Sequence, residues 1–394
     1  MIKFLIKHVP VHYAWVVVVI GIISNMLAAG YMFWAIAVYI PEIAEYFSIG
    51  RLPVILCFTA GQALSAVCSS SIGRFMDEHG ARKSLIIGSL IASLGFIVTA
   101  SSPNIYIVLV GWLIVGVARP FVLPITFSWL ITRWFVTHRR AALGLGGVML
   151  PFFTFLTELY SWQFTLYSAS ILFPLFNISF ALFLIKDQPK ECGLLSVGSS
   201  NNLDDEQALT GMNLDAAKKT LTFWIVTIGF VFFFMGQGAV NLLGLDFLLN
   251  EGITNAAIFL GVSSLIRALG RIPGSLLVDR INNIFFLAIL VGLLQGLAML
   301  TIVFSTKFIF LIAFVLLWGG GGIFVPMLEA LILTKTFGIK HYGAISGLVL
   351  AFAFGGQIVA PILGGWMFDI TNSYAIPFVI YSLMSVISTP PLTS

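Results

Sequence analysis

Gly73-Arg-Phe-Met-Asp77-Glu-His-Gly80-Ala-Arg82-Lys83 is the most highly charged short run in a very apolar chain. A long hydrophobic run leads into it and another leads out. A weaker echo, Gly274-Ser-Leu-Leu-Val-Asp279-Arg280, stands at the matching place of the second half. A charged turn that recurs between apolar runs predicts two similar membrane-embedded halves.

Composition agrees. Hydrophobic residues make up 59% of the 394 and charged residues only 9%, against about a quarter charged in soluble domains. Such a chain cannot be wrapped in water and needs the lipid bilayer as its partner. Only helices or closed barrels satisfy the backbone in hydrocarbon. The apolar runs are long and unbroken rather than alternating, so an all-α polytopic membrane protein is expected.

At about 20 residues per crossing, the apolar runs predict about twelve transmembrane helices: 13–38, 52–73, 84–101, 103–132, 141–158, 163–185, 221–246, 255–278, 284–305, 308–333, 343–368 and 375–389. The first reads as a retained helix rather than a cleaved signal. The one long polar segment, 186–220, carries Ser199-Ser-Asn-Asn202 and Asp204-Asp-Glu206, a solvated linker composition. The organisation that follows is an N-terminal six-helix bundle over 1–185, a cytoplasmic linker over 186–220 and a C-terminal six-helix bundle over 221–394. Two features look shortened: span 5, which reaches Pro151 early, and the last helix, which ends in Thr389-Pro-Pro-Leu-Thr-Ser394.

Lysine and arginine fix the orientation. Fifteen fall in alternate loops on one side, among them Arg74, Arg82, Lys83, Arg133 and Lys340, and only Arg51 and Lys307 on the other. By the positive-inside bias, both termini and the linker face the cytoplasm. Three arginines belong to no loop. Arg119 lies midway along span 4, before Pro120 and Pro124, and Arg267 and Arg271 lie one helical turn apart, hence on one face of span 8. A mid-membrane arginine costs about 2.5–3.5 kcal/mol on insertion scales, so it faces a polar cavity or a partner.

Several functions are excluded. No phosphate-binding loop of the nucleotide-hydrolysing type occurs, and Gly319-Gly-Gly-Gly322 lies inside span 10 with no lysine after it, a closely packed helix segment. Cys57, Cys68 and Cys192 have no paired spacing and the five histidines fall in or beside polar loops, so neither a disulfide framework nor a metal site is indicated. No nucleophile–base arrangement shares a membrane level. No enzyme activity, cofactor or nucleic-acid partner is expected.

The pattern Gly73-x-x-x-Asp77-x-x-Gly80-x-Arg82-Lys83 between spans 2 and 3 resembles the signature loop of the major facilitator superfamily. The resemblance implies two pseudo-symmetric six-helix bundles around a cavity that opens alternately to each side. Gly73 permits close helix approach, Gly80 a tight turn, and Asp77 can cap a helix end and hold a basic partner. Together with Arg82 and Lys83 these residues make a cytoplasmic gate, with Asp279, Arg280 and Glu329 as its counterpart in the second half.

Further stretches look like the monocarboxylate and oxalate/formate branch. They are His12-Tyr-Ala-Trp15, Trp134-Phe135-x-x-x-Arg139-Arg140-Ala-Ala-Leu-Gly144, Leu269-Gly270-Arg271-Ile-Pro-Gly274 and Phe337-Gly-Ile-Lys340-His-Tyr-Gly343-Ala-Ile-Ser-Gly347. The resemblance implies that Arg271 binds a substrate carboxylate, for which a guanidinium is suited by its permanent charge and paired donors. Arg119, Arg267, Gln357 and Tyr31 are the other candidates to line the site. Arg267 departs from the branch, where proton-coupled carriers have an aspartate, so a dianionic substrate such as a short dicarboxylate, an exchanged counter-anion or a proton carried elsewhere is expected. The reading is secondary transport of a small organic anion, a monocarboxylate or an oxalate/formate-type pair, by a monomer in the plasma membrane, the bacterial inner membrane. A carrier of another solute (drug, sugar or nitrate) and a degraded, non-transporting copy stand as alternatives.

Overall fold

Helices form where the apolar runs lie. The computed structural model describes residues 12–123, 125–146, 161–199, 210–278, 281 and 283–388. Fifteen helices carry labels here: α1 Tyr13–Ala29, α2 Ile36–Tyr46, α3 Arg51–His79, α4 Ala81–Ala100, α5 Ile105–Val122, α6 Ile125–Trp134, α7 Arg139–Gly146, α8 Trp162–Phe183, α9 Leu221–Asn250, α10 Ala256–Val278, α11 Ile284–Val303, α12 Phe308–Gly322, α13 Val325–Phe337, α14 Tyr342–Thr371 and α15 Ala375–Ile387. No β-strand longer than an isolated bridge occurs among the described residues.

Among the described residues eight helices are long and apolar enough to cross a bilayer, and the count is nine if the pair Phe308–Gly322 and Met327–Phe337, bent by 43°, is one span. The helix α10 has the length, 23 residues, but carries Arg267 and Arg271 in its interior, and α15 is apolar but only 13 residues long. Each expected span except the fifth overlaps described helix over most of its length, and the first, fourth and tenth are each divided between two helices. Most of the expected span 5, with its shortening at Pro151, lies outside the described residues, as do positions 389–394.

The chain divides into two compact units, residues 1–214 with 333–348, and residues 215–332 with 349–394. In the first, the core is aromatic: Tyr31 lies 6.2 Å from Phe96, Phe96 meets Phe173 edge-on at 6.1 Å, and Phe58 meets Trp112 at 4.4 Å. Such ring pairs add about 0.5–1.5 kcal/mol each beyond their buried area. In the second, Phe247 stacks on Phe378 at 5.0 Å, and the buried Tyr381 hydroxyl donates to Ala360 O at 2.6 Å. Exposed Val67, Tyr106, Leu221, Ile309 and Ile387 leave apolar surface outward, as a bilayer-embedded protein requires.

Two local departures from plain helix matter. Gly30–Trp34 forms a π-helical turn that continues α1 before α2 begins. Leu123, before Pro124, is extended (φ −142°, ψ 151°) and separates α5 from α6, as the proline ring excludes helical geometry from its predecessor. The segment 186–220 reads from sequence as solvated chain, yet its described ends are docked. Val197 N–H donates to Trp134 O at 2.9 Å, while Val197 O accepts from the N–H groups of Val136 and Thr137. Met212 N–H donates to Phe337 O at 2.8 Å and Ile339 N–H to Thr210 O at 2.9 Å. The acidic run Asp204–Glu206 lies outside the described residues.

Candidate functional site

The joint between α3 and α4 is the charged run itself. Gly80 sits at φ +87°, ψ 164°, a conformation nearly restricted to glycine, and turns the chain by breaking the helix for one residue. A Cβ on Gly80 would also strike the Asp187 carboxylate. That carboxylate accepts the Arg82 N–H at 2.9 Å, so it meets an unsatisfied donor of the first turn of α4 and the positive end of its dipole. Burial pushes the Asp187 carboxyl above its ordinary value, against the downward pull of the Arg82 N–H. The Arg82 guanidinium reaches Leu182 O at 3.3 Å, and Lys83 is exposed.

Asp77, one turn before the joint, does the same for a different helix. Its carboxylate accepts from Gly343 N–H at 3.1 Å and Ala344 N–H at 2.9 Å, both in the first turn of α14, and from the Trp129 indole at 2.9 Å. Gly73 makes this possible, because a Cβ there would run into the Gly343 carbonyl. The Arg133 guanidinium lies 3.5 Å from the Trp129 ring centroid and donates to Lys340 O at 3.4 Å. Arg133 thus stands near Asp77 as an aromatic-stacked cation of the same unit, and no ion pair to Asp77 closes within 4.0 Å among the described residues. All these residues belong to the first unit, which includes the opening turns of α14.

Also in the first unit, Arg119 lies half-buried near the end of α5 with its guanidinium carbon 5.5 Å from the Phe33 ring. Tyr31 is fully buried in the π-helical turn beside Phe33. Turns of this kind occur frequently at functional positions.

The second unit holds the other arginines. Arg267 and Arg271 are half-buried on α10. Arg267 Nη1 donates to Gln237 Oε1 on α9 at 3.2 Å, and its guanidinium carbon stands 5.1 Å from the Trp318 ring centroid on α12. The backbone of Gln357 on α14 packs against Gly238 of α9, and its Oε1 is buried with no hydrogen-bond partner among the described residues. Glu329 is buried on α13. Asp279 and Arg280, the expected counterparts of the gate, lie outside the described residues. A crevice in this unit lined by Val226, Phe230, Phe233, Leu328 and Ile332 is apolar and includes none of the arginines.

Sequence reasoning did not single out Asp187, Trp129 or Arg133 as parts of this arrangement. The four-residue spacing of Trp129 and Arg133, which places them on one helix face, is the one local signal. Asp187 had none.

The family description Major Facilitator Superfamily matches residues 22–348. Among curated proteins no relative matches at a significant level. Solved structures with similar folds include the E. coli fucose:proton symporter FucP, 16% identical, covering 93% of this chain and 97% of that one at a TM-score of 0.67. The proton:xylose symporter XylE is 15% identical over 96% of this chain and 94% of its own, with a TM-score of 0.71. The human organic anion transporter MFSD10 (TETRAN) is 14% identical, covers 96% and 98%, and gives 0.69. At such identities the likeness is one of fold, and it agrees with an all-helical, multi-pass membrane architecture. The chain belongs to the major facilitator superfamily.

Proposed function

We propose that the protein is a secondary active transporter of a small organic anion, a monocarboxylate or an oxalate/formate-type pair, that works by alternating access. The observation that carries this reading is the pair of guanidiniums one turn apart in the interior of the apolar helix α10. Two permanent positive charges in a membrane-embedded helix select for anions over sugars and cations, because the interaction is strong where water is scarce. Arg271 is the carboxylate clamp. Arg119, Tyr31 and Gln357 contribute to the lining. The organic-anion transporter among the structural neighbours is in keeping with this class.

The gate reading also belongs here. Asp77 holds the first turn of α14 at the cytoplasmic end, and with Arg82 and Lys83 it forms the latch that must release when the carrier opens inward. The termini face the cytoplasm, in the bacterial inner membrane, and the carrier acts as a monomer coupled to a counter-anion or a proton.

Arg271→Gln should abolish uptake of labelled carboxylate while the variant still inserts into the membrane. Uptake at the unmodified level would remove Arg271 and the anion assignment together. A sugar carrier is the second reading, favoured by the fucose and xylose symporters among the neighbours. Competition by unlabelled sugars and carboxylates against one labelled solute separates the two.

A further inference from the structure

Arg267 carries more donors than its surroundings use. Nη1 is spent on Gln237 Oε1. Nε and Nη2 are buried and meet no acceptor, and no carboxylate lies in ion-pair reach among the described residues. These two nitrogens are the side-on edge of the guanidinium, the edge that matches the two oxygens of a carboxylate with parallel hydrogen bonds. Gln237 is buried as well, at 5% exposure. Its oxygen must face Arg267, which has only donors to offer, and its Nε2 is left buried without an acceptor.

The described groups beside that edge leave its donors unpaired. Gly322 of α12 lies beside the guanidinium, and a Cβ there would strike Nε. The Trp318 ring attracts the cation without supplying a hydrogen-bond acceptor. Three donors, a positive charge and no counter-charge among the described residues make an anion site. Arg271 follows four residues later, on the same face and about 6 Å further along the helix.

We propose that the ligand is a two-headed anion, a short dicarboxylate, with one carboxylate on Arg271 and the other on Arg267 Nε and Nη2 and Gln237 Nε2. This rests on the reading that Arg271 holds a carboxylate. Arg267 is then the residue that discriminates dicarboxylates from monocarboxylates.

The test is uptake of labelled succinate and labelled lactate into proteoliposomes by the unmodified protein, Arg267→Gln, Gly322→Ala and Arg271→Gln. Arg267→Gln should raise the KM for succinate about tenfold or more, the equivalent of one charge-assisted contact, and raise the KM for lactate by clearly less. Gly322→Ala, which keeps the arginine but crowds Nε, should show the same selective loss, and it stands in if Arg267→Gln does not fold. Equal losses for both solutes, or none, in the folded variants would overturn the proposal. So would an unmodified protein that carries lactate but not succinate, with the anion reading left intact. Lactate uptake retained by Arg271→Gln, or an unmodified protein that carries neither carboxylate, would instead overturn the underlying reading.

Discussion

Two aspartates in the first unit act as helix caps, and each carries a prediction. Asp77→Ala leaves the Gly343 and Ala344 N–H groups and the Trp129 indole without their acceptor. Unmet buried donors cost about 1–3 kcal/mol, so the variant should melt at a lower temperature in detergent than Asp77→Asn, which keeps an acceptor oxygen. Asp187 behaves differently with pH. Its carboxyl is raised in the folded protein, so the folded state binds the proton more tightly. Its contribution to stability is complete below its ordinary value of 3.8 and is lost as pH rises through the folded value. Thermal unfolding should therefore show the native protein gaining on Asp187→Asn as pH falls from 7 towards 4, and a pH-independent difference would contradict the account. Gly73, Asp77 and Gly80 were legible in the sequence because their spacing is short and their chemistry local. Asp187 was not, since packing brings it to Arg82 from 105 positions away.

At the scale of elements, hydropathy located most of the helices, because a bilayer imposes length and polarity on every crossing. It was blind to the π-helical turn at Gly30–Trp34, which arises from a shift of hydrogen-bond partner with no polar or proline marker. Composition gives no sign of the docked ends of the linker. Its polar residues suggest solvation, whereas Val197 and Met212 dock through backbone hydrogen bonds, which carry no side-chain signature. The α3–α4 joint tests the element-level account. Gly80→Ala forces a Cβ into a left-handed turn and against Asp187, and strain of that kind costs about 1–3 kcal/mol. A lowered melting temperature is expected, with a smaller drop for Gly80→Ala in an Asp187→Ala background, where the obstruction is gone.

At the scale of the molecule, family membership supports a transporter, while the proposed sidedness and cargo rest on charge. Fifteen basic residues against two predict that Lys83→Cys and Arg51→Cys, each in a cysteine-free background, react with an impermeant thiol reagent from opposite faces of the membrane. Cargo was only partly legible. The positions of Arg267 and Arg271 within one helix were plain in the sequence, but the unpaired side-on edge of Arg267 depends on Gln237, Trp318 and Gly322, contributed by two other helices. The most direct measurement of the central claim is solute exchange in proteoliposomes preloaded with unlabelled carboxylate, assayed with and without a pH gradient. The account predicts saturable uptake of labelled carboxylate, competed by carboxylates and indifferent to fucose and xylose, and lost in Arg271→Gln. Uptake of a labelled sugar that carboxylates fail to compete would contradict it.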